Sequence, residues 1–463
     1  MQPALRLACC FLFAAPAAAA DWVVDTDAEW SSAAGRLEGV TIADGFATSV
    51  AGETTFVSTV QAVPAGTAAV SVTFTQSPTW DNWREIPNVG SPKMHDAPVF
   101  IPVGSGDYWL LGKYRPSRDE LKAIKAAHGG NRPDYDRGYH AWHSTDMQTW
   151  THHGPVSGRE EEWVTTAEVV DGVFYIFYDF PNDEDPHLII DDDLTDGRMG
   201  RRIGMVFADP SHGSDCGVIR DDADGRFHMI YENWDPIDAR KNAWDSPLAG
   251  HSVSPDGVTP FEILAPAIDH RTNPTGKTGE YVHGQGVHRA VKKYEIHEPE
   301  QNAYGDWAII KIGTLYYLFC DYEPAGGEIR VGRFVGESID GPFTFDGELG
   351  EGHPDPAIGF AEGQFYLIRQ RAETDFVSPG PWVGRVEARA GVDLDGDGKI
   401  DEWTAWQEVR ETYAQKQGYV KVIEAAPARL DLSALPAGKG IAFAYRTAAD
   451  TPVAMDRIEV VFD

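Results

Sequence analysis

Apolar and polar positions alternate along most of this chain in short runs, and the runs pair. His95-Asp96-Ala97-Pro98-Val99-Phe100-Ile101 crosses a Gly-Ser-Gly turn at 104–106 and returns as Tyr108-Trp109-Leu110-Leu111. An acid leads an apolar strand, a tight turn follows, and an aromatic strand comes back, which predicts a β-hairpin with a carboxylate at its mouth. The pattern recurs. Asp215-Cys216-Gly217-Val218-Ile219 leads to Phe227-His228-Met229-Ile230, and Asp306-Trp307-Ala308-Ile309-Ile310 leads to Leu315-Tyr316-Tyr317-Leu318-Phe319. Asp355-Pro356-Ala357-Ile358 leads to Phe365-Tyr366-Leu367-Ile368. A degenerate copy, from Thr165 to Val170 and on to Phe174-Tyr175-Ile176-Phe177, has Thr in place of Asp.

Several copies carry a second hairpin with Ser and Asp in its turn: Tyr139 to Trp150, His251 to Phe261 and Arg330 to Phe343. Two hairpins make a four-stranded antiparallel sheet, and repeated units of that kind are the mark of a β-propeller. The expectation is therefore an all-β chain with five blades over residues 86–410. A β-sandwich or barrel with chance hairpin similarity is the competing architecture. Residues 21–85 and 411–463 also alternate, without an acid opening a hairpin. Each has few strands for a closed core, so the two are expected to combine in one accessory β-sandwich. Helical periodicity is nearly absent; Arg118 to His128 is the best candidate. Trp80 and Trp83, ahead of the first unit, suit either stacking on a sugar face or buried packing of the linker.

The chain's ends and composition add compartment and exclude partners. Residues 1–20 join one early charge, Arg6, to an apolar run and a small-residue site ahead of Asp21, the pattern of a secretory signal peptide. A lipoprotein signal at Cys9 or Cys10 is the rival reading. Either implies a secreted or periplasmic protein, and no later run is long enough for a transmembrane helix. Cys216 and Cys320 then remain, as two buried thiols or one bridge; a disulfide framework is excluded. The formal net charge of −33 repels nucleic acid and anionic membranes and keeps a protein soluble in salt.

In a propeller the first strand of each blade lines the axis, so Asp96, Asp215, Asp306 and Asp355 should meet on one face, with Thr165 completing the ring. Carboxylates facing one small volume repel, which favours one holding its proton beside an ionised neighbour. That pairing is what glycoside cleavage needs. The alternative is that these acids cap turns. His95-Asp96-Ala97-Pro98-Val99, Tyr108-Trp109-Leu110-Leu111 and Ser144-Thr145-Asp146-Met147-Gln148-Thr149-Trp150 together resemble the first blade of five-bladed propeller glycoside hydrolases of families 43 and 117 and their relatives. The resemblance spans about residues 86–410. It implies an inverting mechanism in which Asp96 is the general base and Asp215 orients the acid and raises its pKa. Glu280, in Gly279-Glu280-Tyr281-Val282-His283, and Asp306 compete for the role of acid. The usual Glu-Gly-Pro pattern is not present. The resemblance also keeps His283 and His288 in view. His95, Trp307 and Asp355 are further candidates to meet substrate. Lys113, Arg115 and Arg137 would suit an anionic sugar group or ordinary ion pairs.

Asp393-Leu394-Asp395-Gly396-Asp397-Gly398-Lys399-Ile400-Asp401 has carboxylates at positions one, three, five and nine, Gly at six and the Lys399 carbonyl at seven. This is an EF-like calcium loop with Thr404 where an EF-hand has its bidentate Glu. A structural calcium pinning the outer turn of the fifth unit is expected; a solvated acidic turn is the alternative. Taken together the residues imply a secreted exo-acting glycoside hydrolase whose partner is an oligosaccharide. A red-algal galactan fragment is one candidate and an α-L-arabinofuranoside or fucoside another. A glycoside phosphorylase or a non-catalytic carbohydrate-binding propeller are the other classes.

Overall fold

The computed structural model describes residues 21–463 apart from 50–53, 78–79, 81–82, 87–91, 93, 160, 162, 181–184, 209–212, 234–248, 269–301, 325–327, 351–354, 370–374, 382–383 and 448–452. The chain divides into two compact units. One holds Thr79–Trp382 and Tyr413–Ala426; the other holds the remaining three stretches, up to Pro78, Val383–Thr412 and Pro427–Asp463.

The larger unit contains five four-stranded antiparallel blades in chain order, the sheet of the fourth extended to six strands by Val422–Ala426 and Thr412–Gln415. Blade 1 is Met94–Gly104, Asp107–Tyr114, Tyr139–Ser144 and Thr151–Pro155. Blade 2 is Trp163–Val170, Val173–Asp179, Pro186–Asp191 and Arg201–Met205. Blade 3 is Gly213–Arg220, Phe227–Asn233, Ala249–Ser254 and Glu262–Ile263. Blade 4 is Ala303–Ile312, Leu315–Glu323, Arg330–Gly336 and Thr344–Leu349. Blade 5 is Ala357–Ala361, Gln364–Arg369 and Asp375–Ser378, completed by Arg84–Glu85 from ahead of blade 1. The first hairpin of every blade turns on a glycine at positive φ: Gly106, Gly172, Gly225, Gly313 and Gly363.

The first strands pack side by side in a closed ring, blade 5 against blade 1 included. A separate apolar cluster fills each gap between neighbouring blades. Burying one large apolar side chain is worth about 1.5–3 kcal/mol, so each gap is held chiefly by its own cluster. The inner strands approach closely where side chains are small: a Cβ on Gly217 would lie 2.5 Å from the Trp307 carbonyl oxygen. Trp80 is buried between blades 4 and 5 against Tyr317 and Phe319, so of the two readings for it, linker packing is the one observed. The helix expected near Arg118 is present as Arg118–Ala127, started by a Ser117–Glu120 capping box.

The segment 413–426 belongs to this unit, although its sequence reads as part of the accessory domain. It runs across the C-terminal ends of the inner strands. Gln415 Nε2 donates to the Pro102 carbonyl of blade 1 at 2.6 Å. Lys421 Nζ donates to Thr166 Oγ1 of blade 2 at 3.0 Å and to the Val218 carbonyl of blade 3 at 2.5 Å. Val422 and Ile423 pair in parallel with Lys311 and Ile312 of blade 4, and Tyr413 packs edge-on against Phe365 of blade 5. One short segment thus touches all five blades at the end of the ring away from the strand mouths.

The smaller unit is built from two sheets around one apolar cluster that includes Trp30, Phe56, Phe74, Phe443 and Ile458. Strands from both ends of the chain share each sheet: Val70–Ser77 pairs with Ala454–Phe462, and Thr54–Ser58 with Gly440–Thr447. A short helix, Asp27–Ala33, opens from a Thr26–Glu29 capping box and was not expected from periodicity. The boundary at 410 is corrected here. Val386–Asp393 pairs with Gly440–Thr447 and lies in this unit, so the acidic loop at 393–401 is not the outer turn of blade 5. The alternation of a sandwich strand and of an outer blade strand is the same, and pairing partners alone separate them.

Candidate active site

The mouths of the inner strands of blades 1 to 4 carry a local irregularity. In blade 3 the register skips between Ser214 and Gly217, leaving Asp215 and Cys216 opposite one partner residue. Blade 4 repeats this at Asp306 and Trp307, blade 2 at Thr165, and blade 1 at Asp96 to Pro98. Bulges re-aim side chains out of the sheet's alternation. Asp215, Asp306 and Asp355 take positive φ values of 44°, 51° and 31°. Such conformations cost about 1–3 kcal/mol for a residue with a side chain, and Asp tolerates them better than most. The five expected positions, Asp96, Thr165, Asp215, Asp306 and Asp355, therefore stand at equivalent places around the closed ring. Their side chains are not all described; His95 and Asp96 are placed by backbone alone.

A second set of charges, of which the sequence analysis singles out only Lys113, lies one strand outward. Lys113, Asp179, Glu232 and Asp321 end the second strands of blades 1 to 4, paired with His95, Trp163, Ser214 and Gly305. All four are buried. Two of the acids hold the mouth of the next blade: Asp179 Oδ2 accepts the Asp215 N–H at 2.9 Å, and Asp321 Oδ1 accepts the Asp355 N–H at 2.8 Å. Glu232 Oε2 accepts from Ser214 Oγ at 3.0 Å within its own blade. Lys113 Nζ sits 3.1 Å from the Trp163 ring centroid in blade 2, a cation–π contact. A signal was present in the sequence: Tyr178-Asp179, Tyr231-Glu232 and Cys320-Asp321 each place an acid after a run of apolar strand residues. A buried charge there needs a partner.

Between blades 4 and 5 these two sets converge. Carboxylate oxygens of Asp306, Asp321 and Asp355 lie within 4.8 Å of one another. Asp215 belongs to the neighbouring mouth, beside the buried Cys216, whose Sγ is 3.4 Å from Thr165 Oγ1. Burial pushes the Cys216 thiol well up, so it stays protonated and is no nucleophile. Cys216 and Cys320 are both buried thiols with no bridge between them.

Other candidates separate. Trp307 is 2% exposed and packs in the core between blades 3 and 4 against Tyr304 and Phe334, so the expectation that it meets substrate is corrected. Its indole fills the gap because the bulge turns it off the mouth. Arg115 is exposed just beyond the second strand of blade 1. Glu280, His283 and His288 lie outside the described residues, as does the segment 1–20.

In the smaller unit, carboxylate oxygens of Asp393, Asp395 and Asp401 converge within 4.8 Å. Gly398, at position six, sits at φ +81°, where an EF-like loop makes its sharp turn. The Gly396 and Gly398 amides donate to Asp393 at 2.6 and 2.9 Å, and the Leu394 amide to Asp401 at 2.7 Å. Asp397 instead pairs with Lys399 Nζ at 3.0 Å, so it is turned away from the trio. Three convergent hard-oxygen donors on a preformed loop fit a calcium ion.

No known protein-family profile matches the chain, and no curated protein sequence does. Solved structures with which it shares a likeness are glycoside hydrolases. An endo-arabinase from Bacteroides thetaiotaomicron is 14% identical, with a TM-score of 0.42 over 64% of this chain and 96% of that one. A β-xylosidase is 14% identical at a TM-score of 0.39, over 74% of this chain and 98% of that one. An exo-β-1,3-galactanase from Phanerochaete chrysosporium is 10% identical at 0.34, over 84% of this chain and 100% of that one. The propeller itself stands on the strand pairings described above.

Proposed function

We propose that this chain is an exo-acting glycoside hydrolase that removes a terminal sugar from an oligosaccharide, with its site at the strand mouths of the propeller. The observation that carries the reading is the ring itself. Acids occupy four of five equivalent mouth positions, three of them on strained backbone, while the segment 413–426 crosses the opposite end. A ring of carboxylates crossed by chain at its far end suits a chain-end substrate.

Asp96 is the general base, Asp215 the orienting acid, and Glu280 or Asp306 the proton donor in a single displacement with inversion. Asp306 gains support from its neighbours. Three carboxyl groups within 4.8 Å repel when all are ionised, which favours a shared proton among them. The donor protonates the leaving oxygen while Asp96 draws a proton from the attacking water. Lys113 and Arg115 stand near blade 1's mouth and past the second strand, where an anionic substituent would meet them. Residues 1–20 direct export, and calcium holds the loop at 393–401. Red-algal galactan fragments and α-L-arabinofuranosides are the substrates to try first.

The test is turnover of a panel of marine and plant oligosaccharides, with the product anomer read by NMR at early times. An inverted anomer from one chain-end sugar supports the reading. Binding without turnover would leave a non-catalytic propeller, a retained anomer would remove the single-displacement mechanism, and phosphate-dependent cleavage would make it a phosphorylase.

A further inference from the structure

The smaller unit carries an aromatic and cationic platform that the hydrolase reading does not use. Val386–Asp393 turns Ala388 and Ala390 into the core, which leaves Arg389 and Gly391 on the outer face of the sheet. Trp403 pairs with Gly391 across the sheet. Its ring lies on that glycine: a Cβ there would meet the indole at 2.8 Å. The Arg389 guanidinium, two residues away on the same face, has its Cζ 4.4 Å from the Trp403 ring centroid and 4.4 Å from that of Trp406. Arg446, largely exposed, adds a second guanidinium 4.5 Å from Trp406. Both indoles are half-buried, so part of each ring faces solvent.

The charges on this face are unequal. Arg446 is paired with Glu387 at 2.7 Å, and Arg385 and Arg410 both reach Glu408. Arg389 has no such carboxylate among the described residues, and its Nε is buried without a hydrogen-bond partner. Burial, then the Arg446 charge, depress its pKa, and no acid opposes them. An arginine keeps its proton regardless. In a chain with 72 acidic and 39 basic residues, an arginine with no acid beside it is suited to meet an external anion.

We infer that the Trp403–Arg389–Trp406 face is a second, non-catalytic binding site for a uronic-acid-bearing polysaccharide. Indole surfaces take the apolar face of a pyranose. The Arg389 guanidinium lies 4.4 Å from both ring centroids, and a planar carboxylate meets a guanidinium's N–H edge in the same plane. A tetrahedral sulfate, unlike a carboxylate, does not lie wholly in that plane. The choice of a glycan as ligand rests on the hydrolase reading; the demand for an anion does not.

The test is affinity electrophoresis of the full chain in gels containing polygalacturonate, with neutral xylan and a sulfated galactan as comparators, at about physiological salt, where charges are screened beyond ~8 Å. An anionic gel polymer repels a chain of net charge −33, so retardation requires a specific site. Retardation by polygalacturonate alone is expected, weakened about tenfold or more by Arg389→Gln and by Trp406→Ala. Turnover of short neutral substrates should be unchanged in both variants, and their melting curves confirm folding. Arg389→Gln keeps the test valid if Trp406→Ala does not fold. No retardation, equal retardation of both variants, or stronger binding to the sulfated galactan would overturn the inference. Retention without any hydrolytic activity would remove the hydrolase reading and leave this site standing.

Discussion

Asp179 reaches across from blade 2 to blade 3 and accepts the backbone N–H of Asp215 at 2.9 Å. The same bond joins Asp321 of blade 4 to Asp355 of blade 5 at 2.8 Å. A buried acid at the end of one blade's second strand thus fixes the strained backbone at the next blade's mouth. Removing the acceptor leaves a desolvated amide, which costs about 1–3 kcal/mol. Asp179→Ala should therefore lower the melting temperature and reduce kcat more than it raises KM, because Asp215 loses its position rather than its charge. Asp179→Asn, which keeps an acceptor oxygen, should recover most of the stability. Equal kcat in all three proteins would remove the positioning role.

Asp96→Asn should abolish hydrolysis while substrate binding by calorimetry persists, since general base catalysis contributes about 10²–10⁴-fold. Replacing the true proton donor, by Glu280→Gln or Asp306→Asn, should spare aryl glycosides with good leaving groups and cripple natural linkages. Full activity of both on natural linkages would direct attention to His283 and His288.

Calcium should stabilise the smaller unit. An ion bound to the folded chain alone, at about 100 times its Kd, adds about 2.7 kcal/mol. Chelation should lower the melting temperature, and Asp393→Asn or Asp401→Asn should make the protein insensitive to chelator. Asp397→Asn should have the smaller effect, because Asp397 pairs with Lys399. An unchanged melt with no calcium by elemental analysis would remove the ion.

Two histidine pairs, in which His140, His228 and His251 are buried, should make the fold sensitive to acid. His140 Nδ1 is 2.8 Å from His152 Nε2, and His228 Nδ1 is 2.9 Å from His251 Nε2. Burial, then the neighbouring imidazole, push His140 and His251 down to about 3. Asp136 faces the first pair; Asp224 and, at 3.9 Å, Asp340 face the second. Below pH 6.5 the unfolded chain takes up protons that the folded chain refuses, so stability falls as pH drops from about 6.5 toward 3 and levels below that. Each group accounts for about 1.4 kcal/mol per pH unit across that window. Melting temperature followed from pH 7.5 to 5 should fall, and the slope should flatten in His251→Gln. An unchanged slope would assign the acid lability elsewhere.

At the far end of the ring, Lys421 and Glu168 are both buried, 4.0 Å apart. Burial pulls each toward its neutral form and the partner's charge opposes it. Lys421→Met leaves Glu168 without its counter-ion and should cost about 3–5 kcal/mol. Adding Glu168→Gln should restore much of that loss. Denaturant unfolding of the two single variants and the double variant measures the coupling; additive losses would show that the pair does not interact.

The hairpins, the five-fold repeat, the acids at the mouths and the metal-like loop were all legible in the sequence, because each is set by residues near one another in the chain. Alternation fixes which face of a strand is apolar, glycine marks a turn that needs positive φ, and carboxylate spacing marks a loop. What the sequence left open were the pairings made between distant segments. Only the fold shows that 386–393 joins the sandwich and that 413–426 crosses the base of the ring, since a half-buried strand reads the same beside either partner. Trp307 follows Asp306 directly in the chain, yet the bulge turns the acid to the mouth and the indole into the core. Asp179 and Asp321 show the converse. Their role depends on a neighbour 36 and 34 residues further along, brought within hydrogen-bond reach only when one blade packs against the next.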